Sequence, residues 1–239
     1  MSAELAGRTV LITGVGRVGQ IGHAVARAFG RAGARLVVAD VSAPAVAERA
    51  RELSAQGYPV RDVAGDLATA DVARRAVAVA QDTWGALDAL VNVAGGLLYY
   101  GPASSLTAEQ FDRELTVNVK TTWCMCQAAL PALIARRGAI VNFASVAVLR
   151  PEPQMASYIA AKAAVAGLTR ALAREYADQG VRVNAVAPGT MRTADNVAQL
   201  GAGAHLVALE ALVDTVLFLA GPGGSGISGE ILAVTGGTG

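Results

Sequence analysis

The stretch SYIAAKAAVAGLTRAL, residues 157–172, has good helix propensity and carries Tyr158 and Lys162 four residues apart. A spacing of four places two helical side chains on one face, with Cβ atoms about 5–6 Å apart. A free phenol has a pKa of about 10, and a neighbouring ammonium favours the phenolate and lowers that pKa. The pair could therefore transfer a proton near neutral pH. Alone, however, such a pair is more often part of a solvated helix face, so this interpretation needs a ligand site beside it.

A second group of residues is typical of a nucleotide site. The segment TGVGRVGQIGHA, residues 13–24, follows an apolar strand pattern and opens a helix pattern. Glycines let the backbone approach a pyrophosphate closely, and a helix N-terminus offers free N–H groups and a positive dipole end. Asp40 ends the next strand pattern, 18 residues after Gly22. An acidic side chain there can bond the adenosine ribose, so this context predicts a dinucleotide site.

Composition limits the other functions open to the chain. Hydrophobic residues make up 53% of the 239 residues, but no apolar run reaches the length of about 18 that a membrane helix needs. With 20 basic and 19 acidic side chains and no basic run, we expect no nucleic-acid partner. The first fourteen residues lack a secretion signal, which favours a cytoplasmic protein. Cys124 and Cys126 lie on different sides of a predicted helix, so we interpret them as packing residues and predict no metal site.

Short β-branched runs alternate with helical patterns along the whole chain. Strands are predicted at 8–13, 35–40, 58–66, 87–93, 138–145, 181–187 and 230–236. Apolar strands separated by helices predict a parallel sheet covered on both faces. We therefore predict an α/β fold with a doubly wound, seven-stranded parallel sheet in a single domain, residues 1–239. Ligands of such sheets bind beyond the carboxyl ends of the strands.

The motifs at those strand ends resemble, in order, the motifs of the short-chain dehydrogenase/reductases, from near residue 5 to near residue 237. Besides the glycine segment, the match includes NVAGG at 92–96, Asn118 in LTVNVKTTW, and Ser145 thirteen residues before Tyr158. The resemblance implies a Rossmann fold with a cofactor half at about 1–100 and a catalytic and substrate half at about 101–239. It implies cofactor contacts by Gly14, Gly19, Gln20, Ile21, Gly22, Asp40, Asp66, Leu67, Asn92, Ala94, Gly95, Tyr158, Lys162, Pro188, Gly189 and Thr190.

The resemblance also implies a reaction, the interconversion of a secondary alcohol and a ketone by hydride transfer. Tyr158 would act as the general acid in reduction and as the base in oxidation. Lys162 would lower the pKa of Tyr158 and bind the nicotinamide ribose. Ser145 would hold the substrate oxygen, and Asn118 would position a water that connects the lysine to solvent. The expected partner is a small-molecule alcohol or ketone.

Two residues bear on the choice between NAD and NADP. Asp40 would repel the 2′-phosphate of NADP, which favours NAD. Arg17 in the glycine segment argues the other way, because a basic residue there can pair with the 2′-phosphate in NADP-dependent relatives. We predict NAD, and an NADP-preferring carbonyl reductase is the alternative.

The sequence departs from the family pattern in three places. The glycine segment is about two residues longer than the common form, with Gln20 where the middle glycine is expected. Val93 replaces the second asparagine of the Asn-Asn-Ala-Gly motif. The predicted lid, 190–208, is short, since 15 residues (194–208) lie between Thr193 and the next helix pattern. This predicts a more open substrate site.

Other classes of function and the assembly state complete the predictions. A cofactor-binding regulatory or scaffold protein would keep the glycine segment but would not need Ser145, Tyr158 and Lys162 together. An isomerase or dehydratase that uses the cofactor transiently would show no net redox change. Helices predicted at 107–135 and 157–179 expose alanine-rich or apolar faces, and the resemblance implies a homotetramer, with a dimer as the second choice.

Overall fold

A computed structural model describes residues 5–201 and 206–237 of the chain. Within these ranges lie the glycine segment, the strand ends and the helix that carries Tyr158. Residues 202–205 of the predicted lid and both ends of the predicted 1–239 domain lie outside the described residues.

Seven parallel strands form one sheet in the order β3-β2-β1-β4-β5-β6-β7. The strands are β1 (Thr9–Thr13), β2 (Arg35–Asp40), β3 (Val60–Ala64), β4 (Ala89–Asn92), β5 (Ala139–Phe143), β6 (Arg182–Pro188) and β7 (Ile231–Val234). The predicted doubly wound, seven-stranded parallel sheet is confirmed. The strand order changes direction between β1 and β4, and the carboxyl ends of these strands form the crevice where such sheets bind ligands.

Helices cover both faces of the sheet. They are α1 (Ile21–Arg31), α2 (Ala43–Ala55), α3 (Ala70–Trp84), α4 (Ala108–Leu115), α5 (Thr121–Arg136), α6 (Ala156–Glu175), α7 (Ala194–Leu200) and α8 (Leu209–Ala220). Side chains of α1, α2 and α8 pack into one core, and those of α3, α5 and α6 pack into the core on the opposite face.

The central strands are apolar throughout because both of their faces are covered. In β1, Leu11 packs into the core with α3 and α5, whereas its neighbour Ile12 packs into the core with α1 and α8. Leu11 also pairs with Val37 on one side and with Leu90 on the other. Polar side chains at every second position of this strand would therefore be buried without hydrogen-bond partners.

The helix predicted at 107–135 is divided by a π-helical turn, Thr116–Lys120, between α4 and α5. Such turns insert one residue into an α-helix and are frequent at functional sites. This turn contains Asn118, whose side chain is fully buried. The Thr122 hydroxyl donates to the Asn118 carbonyl at 2.8 Å, which satisfies a backbone acceptor next to the interruption.

Candidate active site

A cavity of about 950 Å³ lies at the carboxyl ends of the strands. Ser145 lines it, together with nearly all residues predicted to contact a cofactor: Gly14, Gln20, Ile21, Gly22, Asp40, Asp66, Leu67, Ala94, Gly95, Tyr158, Lys162, Pro188, Gly189 and Thr190. Three predicted site residues, Gly19, Asn92 and Asn118, are not among its lining. The sheet thus brings together residues separated by up to 176 positions, from Gly14 to Thr190.

The glycine segment fits a pyrophosphate because its backbone leaves no room for side chains. Gly14 has a φ of +72°, and a Cβ atom on it would lie 2.9 Å from the Ala94 backbone. A Cβ atom on Gly22 would lie 2.1 Å from the carbonyl oxygen of Gly14. Helix α1 starts directly after Gln20, which makes no side-chain capping bond, and its first turn has no acidic residue. The first N–H groups of α1 are therefore suited to an anion.

The carboxylate of Asp40 is held at the end of β2 by two backbone donors. The Gly16 N–H donates to Oδ2 at 2.8 Å, and the Ser42 N–H donates to Oδ1 at 3.0 Å. Each oxygen can accept a further bond. Asp40 therefore has a fixed position on the cavity wall from which it can accept hydrogen bonds from ribose hydroxyls.

Arg17, the residue that argued for NADP, forms an ion pair with Asp195 of α7. The lid helix also contacts the glycine segment directly, because the Ala194 N–H donates to the Gly19 carbonyl at 3.0 Å. A backbone hydrogen bond also joins the two ends of the lid, because the Val207 N–H donates to the Thr190 carbonyl at 2.9 Å. The described part of the lid thus packs against the cofactor end of the cavity, and Arg17 points to the lid.

Ser145, Tyr158 and Lys162 lie on one wall of the cavity. Ser145 follows β5 and hydrogen-bonds through its hydroxyl to the phenol of Tyr158. The Lys162 ammonium donates to the Phe143 carbonyl at 2.9 Å and lies 5.7 Å from the centre of the Tyr158 ring. The helix spacing and the end of β5 therefore deliver a hydroxyl, a phenol and an ammonium to the same place.

The pKa of Tyr158 differs from the expectation. Burial raises the pKa of the phenol, the hydrogen bond from Ser145 lowers it, and the negative charge of Glu114 raises it. The Lys162 ammonium donates to the Phe143 carbonyl and is not among these three influences on the phenol. Burial also lowers the pKa of Lys162, to about 8, against the attraction of Glu114. The pKa of Tyr158 is thus raised rather than lowered, and a lowering by Lys162 stays a prediction.

Asn118 lies behind the cavity wall and supports the loop after β4. Its Oδ1 accepts from the Gly96 N–H at 3.0 Å, and its Nδ2 donates to the Gly96 carbonyl at 3.0 Å. The same Nδ2 group donates to the Glu114 backbone carbonyl at 3.0 Å. The side chain therefore fixes the backbone of NVAGG, the segment that forms the middle of the cavity.

Asn92 belongs to a buried polar chain beneath the site. Its Nδ2 donates to Asn142 Oδ1 at 2.9 Å, and Asn142 Nδ2 donates to the Thr169 hydroxyl at 3.0 Å. This chain ties β4 and β5 to the helix that carries Tyr158. Asn92 therefore supports the site from beneath, and its predicted contact with the cofactor stays a prediction.

Sequence reasoning missed Glu114, which the structure buries completely beside Asn118 and the loop after β4. Its only signal is position, since Glu114 precedes Asn118 by four residues and so shares its helix face. Cys124 and Cys126 are both buried and unpaired, in agreement with their interpretation as packing residues. The described residues hold no group of three or more His, Cys, Asp or Glu side chains placed to bind a metal ion. In residues 5–201 and 206–237, no helix combines the length and apolar character that a membrane crossing requires.

Comparison with known proteins identifies the class. The model of the short chain dehydrogenase family matches residues 8–202. The chain belongs to the short-chain dehydrogenase/reductase family.

Relatives and a solved structure agree with this assignment. 2-(S)-Hydroxypropyl-CoM dehydrogenase 3 of Xanthobacter autotrophicus is 40% identical over 80% of this chain and 74% of that protein. Sorbitol dehydrogenase of Cereibacter sphaeroides is 40% identical over 79% of this chain and 72% of that protein. The structure of a short-chain type dehydrogenase/reductase from Mycobacterium ulcerans superimposes with a TM-score of 0.91 at 28% identity, over 98% of this chain and 90% of that one.

Proposed function

We propose that this protein is an NAD-dependent oxidoreductase that interconverts a secondary alcohol and a ketone. The observation that carries the proposal is the convergence of Ser145, Tyr158 and Lys162 on the wall of a cavity that also contains the glycine segment and Asp40. The names of two relatives, dehydrogenases of 2-(S)-hydroxypropyl-CoM and of sorbitol, support a hydroxylated substrate.

The side chains divide the proton chemistry among them. In ketone reduction, the Tyr158 hydroxyl gives its proton to the carbonyl oxygen, and in alcohol oxidation the phenolate takes the proton back. Ser145 holds the same oxygen by a hydrogen bond. Lys162 provides positive charge beside the phenol and an ammonium that can bond the ribose. When bound, the nicotinamide supplies or accepts the hydride.

The proposal is tested by following NADH and product together. The protein is incubated with NAD and a panel of secondary alcohols that includes short apolar alcohols and polyols. We expect one NADH for each ketone formed, and one NADH consumed for each ketone reduced. A cofactor-binding scaffold protein would give no turnover, and an isomerase or dehydratase would give product without a net change in NADH. Either result would overturn the proposal.

NAD is the proposed cofactor because Asp40 is held at the end of β2, the position from which an acidic side chain bonds the adenosine ribose in doubly wound folds. Two unit charges about 4 Å apart repel by roughly 4 kcal/mol at an effective dielectric near 20. Solvent and salt reduce this, but about 1.4 kcal/mol already gives tenfold discrimination. Arg17 also lines the cavity, but its guanidinium is paired with Asp195 of the lid, which weakens the case for NADP.

Replacing Asp40 by Ala tests this cofactor choice. We expect the wild type to prefer NAD at least tenfold in kcat/KM, and Asp40→Ala to lose most of that preference because the repulsion is removed. Asp62→Ala removes the same charge from an exposed position on the neighbouring strand and should keep the wild-type ratio. Equal or better use of NADP by the wild type would contradict the assignment.

A further inference from the structure

Glu114 is a fully buried acidic side chain next to the active site. It lies near the end of α4, and its exposed fraction is 0%. Burial of an unpaired carboxylate costs several kcal/mol or more, so a buried glutamate requires specific partners. The partners of Glu114 therefore indicate what it does.

The Glu114 carboxylate accepts hydrogen bonds from two backbone amides and from one side-chain amide. The Leu98 N–H lies 3.2 Å from Oε1 and 3.3 Å from Oε2, and the Tyr99 N–H donates to Oε2 at 3.2 Å. Asn118 Nδ2 donates to Oε1 at 3.2 Å. An ionised carboxylate only accepts, so this set of donors suits the charged form. The carboxylate thereby holds the loop after β4 against the end of α4.

This loop lies between Glu114 and the catalytic lysine. A Cβ atom on Gly95 would lie 2.7 Å from Asn118 Oδ1 and 3.4 Å from Lys162 Nζ. Leu97 and Leu98, which follow Gly96 in this loop, line the cavity. A shift of the loop would therefore move both the wall beside Lys162 and the apolar wall of the substrate end.

We propose that Glu114 is a positioning residue of the active site: its carboxylate fixes the loop 95–99 and Asn118, and its negative charge balances the buried ammonium of Lys162. The proposal rests on the proposed function for its kinetic test only. The loop contacts can be tested without turnover.

The negative charge of Glu114 acts in the same direction on the pKa of Lys162 and on that of Tyr158. Glu114 raises the pKa of Lys162 against burial, and it also raises the pKa of Tyr158. Burial raises the pKa of Glu114, and the hydrogen bonds from Leu98, Tyr99 and Asn118 together with the positive charge of Lys162 oppose that rise. Without the Glu114 charge, both the ammonium and the phenol lose their protons at lower pH. Ketone reduction needs both protons, so its alkaline limb should move to lower pH.

The experiment compares Glu114→Gln with Asp112→Asn, which removes a charge from an exposed position on the same helix. In Glu114→Gln we expect kcat/KM for ketone reduction to fall roughly 10–100-fold, because the loop is displaced. We expect the alkaline limb of its pH profile for ketone reduction to lie at lower pH than in the wild type. We also expect faster amide hydrogen exchange than in the wild type in peptides that cover 96–100. Asp112→Asn should match the wild type in all three measurements.

The variant Glu114→Asp tests the effect of the negative charge separately from the effect of side-chain length. It keeps the negative charge on a shorter side chain, so its loop amides should exchange faster while its alkaline limb stays near the wild-type pH. A wild-type exchange rate or a wild-type pH limb in folded Glu114→Gln would overturn the proposal. If Glu114→Gln does not fold, unchanged loop protection in Glu114→Asp would overturn it.

The two proposals fail in different ways. A wild type without NAD-dependent alcohol or ketone turnover would reject the proposed function. Amide exchange in the Glu114 variants would still test whether the carboxylate holds the loop, because it needs neither cofactor nor substrate.

Discussion

At the scale of single residues, the side chains of the site control the protonation of Tyr158. Burial raises the pKa of its phenol above the ordinary value, and the Ser145 hydroxyl acts against that shift. In the proposed mechanism, alcohol oxidation needs the phenolate, whose fraction rises about tenfold per pH unit below the pKa. Reduction needs the phenol, which is abundant at neutral pH. The two directions should therefore have opposite pH dependence.

This argument predicts the behaviour of Ser145→Ala. Loss of the hydrogen bond removes the influence that lowers the Tyr158 pKa, so the rising limb of kcat/KM for alcohol oxidation should move to higher pH. The measurement is the pH profile of NAD reduction from pH 6 to pH 10. Ser145→Thr keeps a hydroxyl and should keep the limb close to its wild-type position. A limb that stays in place in Ser145→Ala would contradict the role given to this hydroxyl.

Ser145, Tyr158 and Lys162 could be selected from the sequence because their spacing occurs together with the glycine segment and the other motifs of the family resemblance. Glu114 could not be selected in this way. A glutamate four residues before an asparagine is common on solvated helix faces, and only tertiary packing against the loop 95–99 buries it. The direction of the Tyr158 pKa was missed for the same reason, since burial and the charge of Glu114 act on the phenol only in the folded chain.

At the scale of elements, the junction of β1 and α1 depends on close backbone contact. A methyl group on Gly22 would meet the carbonyl of Gly14 at 2.1 Å, a contact that only a backbone shift can relieve. We expect Gly22→Ala to lower the free energy of unfolding by about 1–3 kcal/mol and to weaken NADH binding at least tenfold. Calorimetry and fluorescence titration measure the two effects.

The matched control is Gly226→Ala. An added Cβ atom there meets nothing within 4 Å, and the residue is exposed. Its unfolding free energy should stay within about 0.5 kcal/mol of the wild type, with unchanged NADH binding. Wild-type NADH affinity in Gly22→Ala would contradict the close-contact account of the glycine segment.

The element pattern could be predicted from the sequence because each central strand is a continuous apolar run and each helix has its own period. The bounds of all seven strands lie within two residues of the predicted ones. The π-helical turn at Thr116–Lys120 was not predicted, because TVNVK reads as ordinary helix. The extra residue is accommodated by the burial of Asn118 and its bonds to Gly96, which are tertiary contacts.

At the scale of the whole molecule, helix α6 exposes a stripe of small residues, Ala160, Ala163, Ala164 and Gly167. Their spacing places them on one helix face, where another helix could approach closely. Phe111 and Trp123, at 37% and 42% exposure, lie on the other long helical segment. These faces support the prediction of a homotetramer, with a dimer as the second choice.

Light scattering at micromolar concentration tests the assembly. We expect a mass near four times the 24.2 kDa chain. Ala164→Arg places a large charged side chain in the α6 stripe and should reduce that mass, whereas Ala211→Arg at an exposed position of α8 should not. A monomeric wild type would refute the prediction.

The central claim is that Tyr158 exchanges the proton that accompanies hydride transfer, and Tyr158→Phe tests it most directly. The variant loses the hydroxyl and keeps the ring, so kcat should fall by about 10²–10⁴ while NADH still binds. Tyr176→Phe, at the end of the same helix and outside the cavity lining, is the matched control and should keep the wild-type rate. An unchanged kcat in folded, NADH-binding Tyr158→Phe would contradict the account.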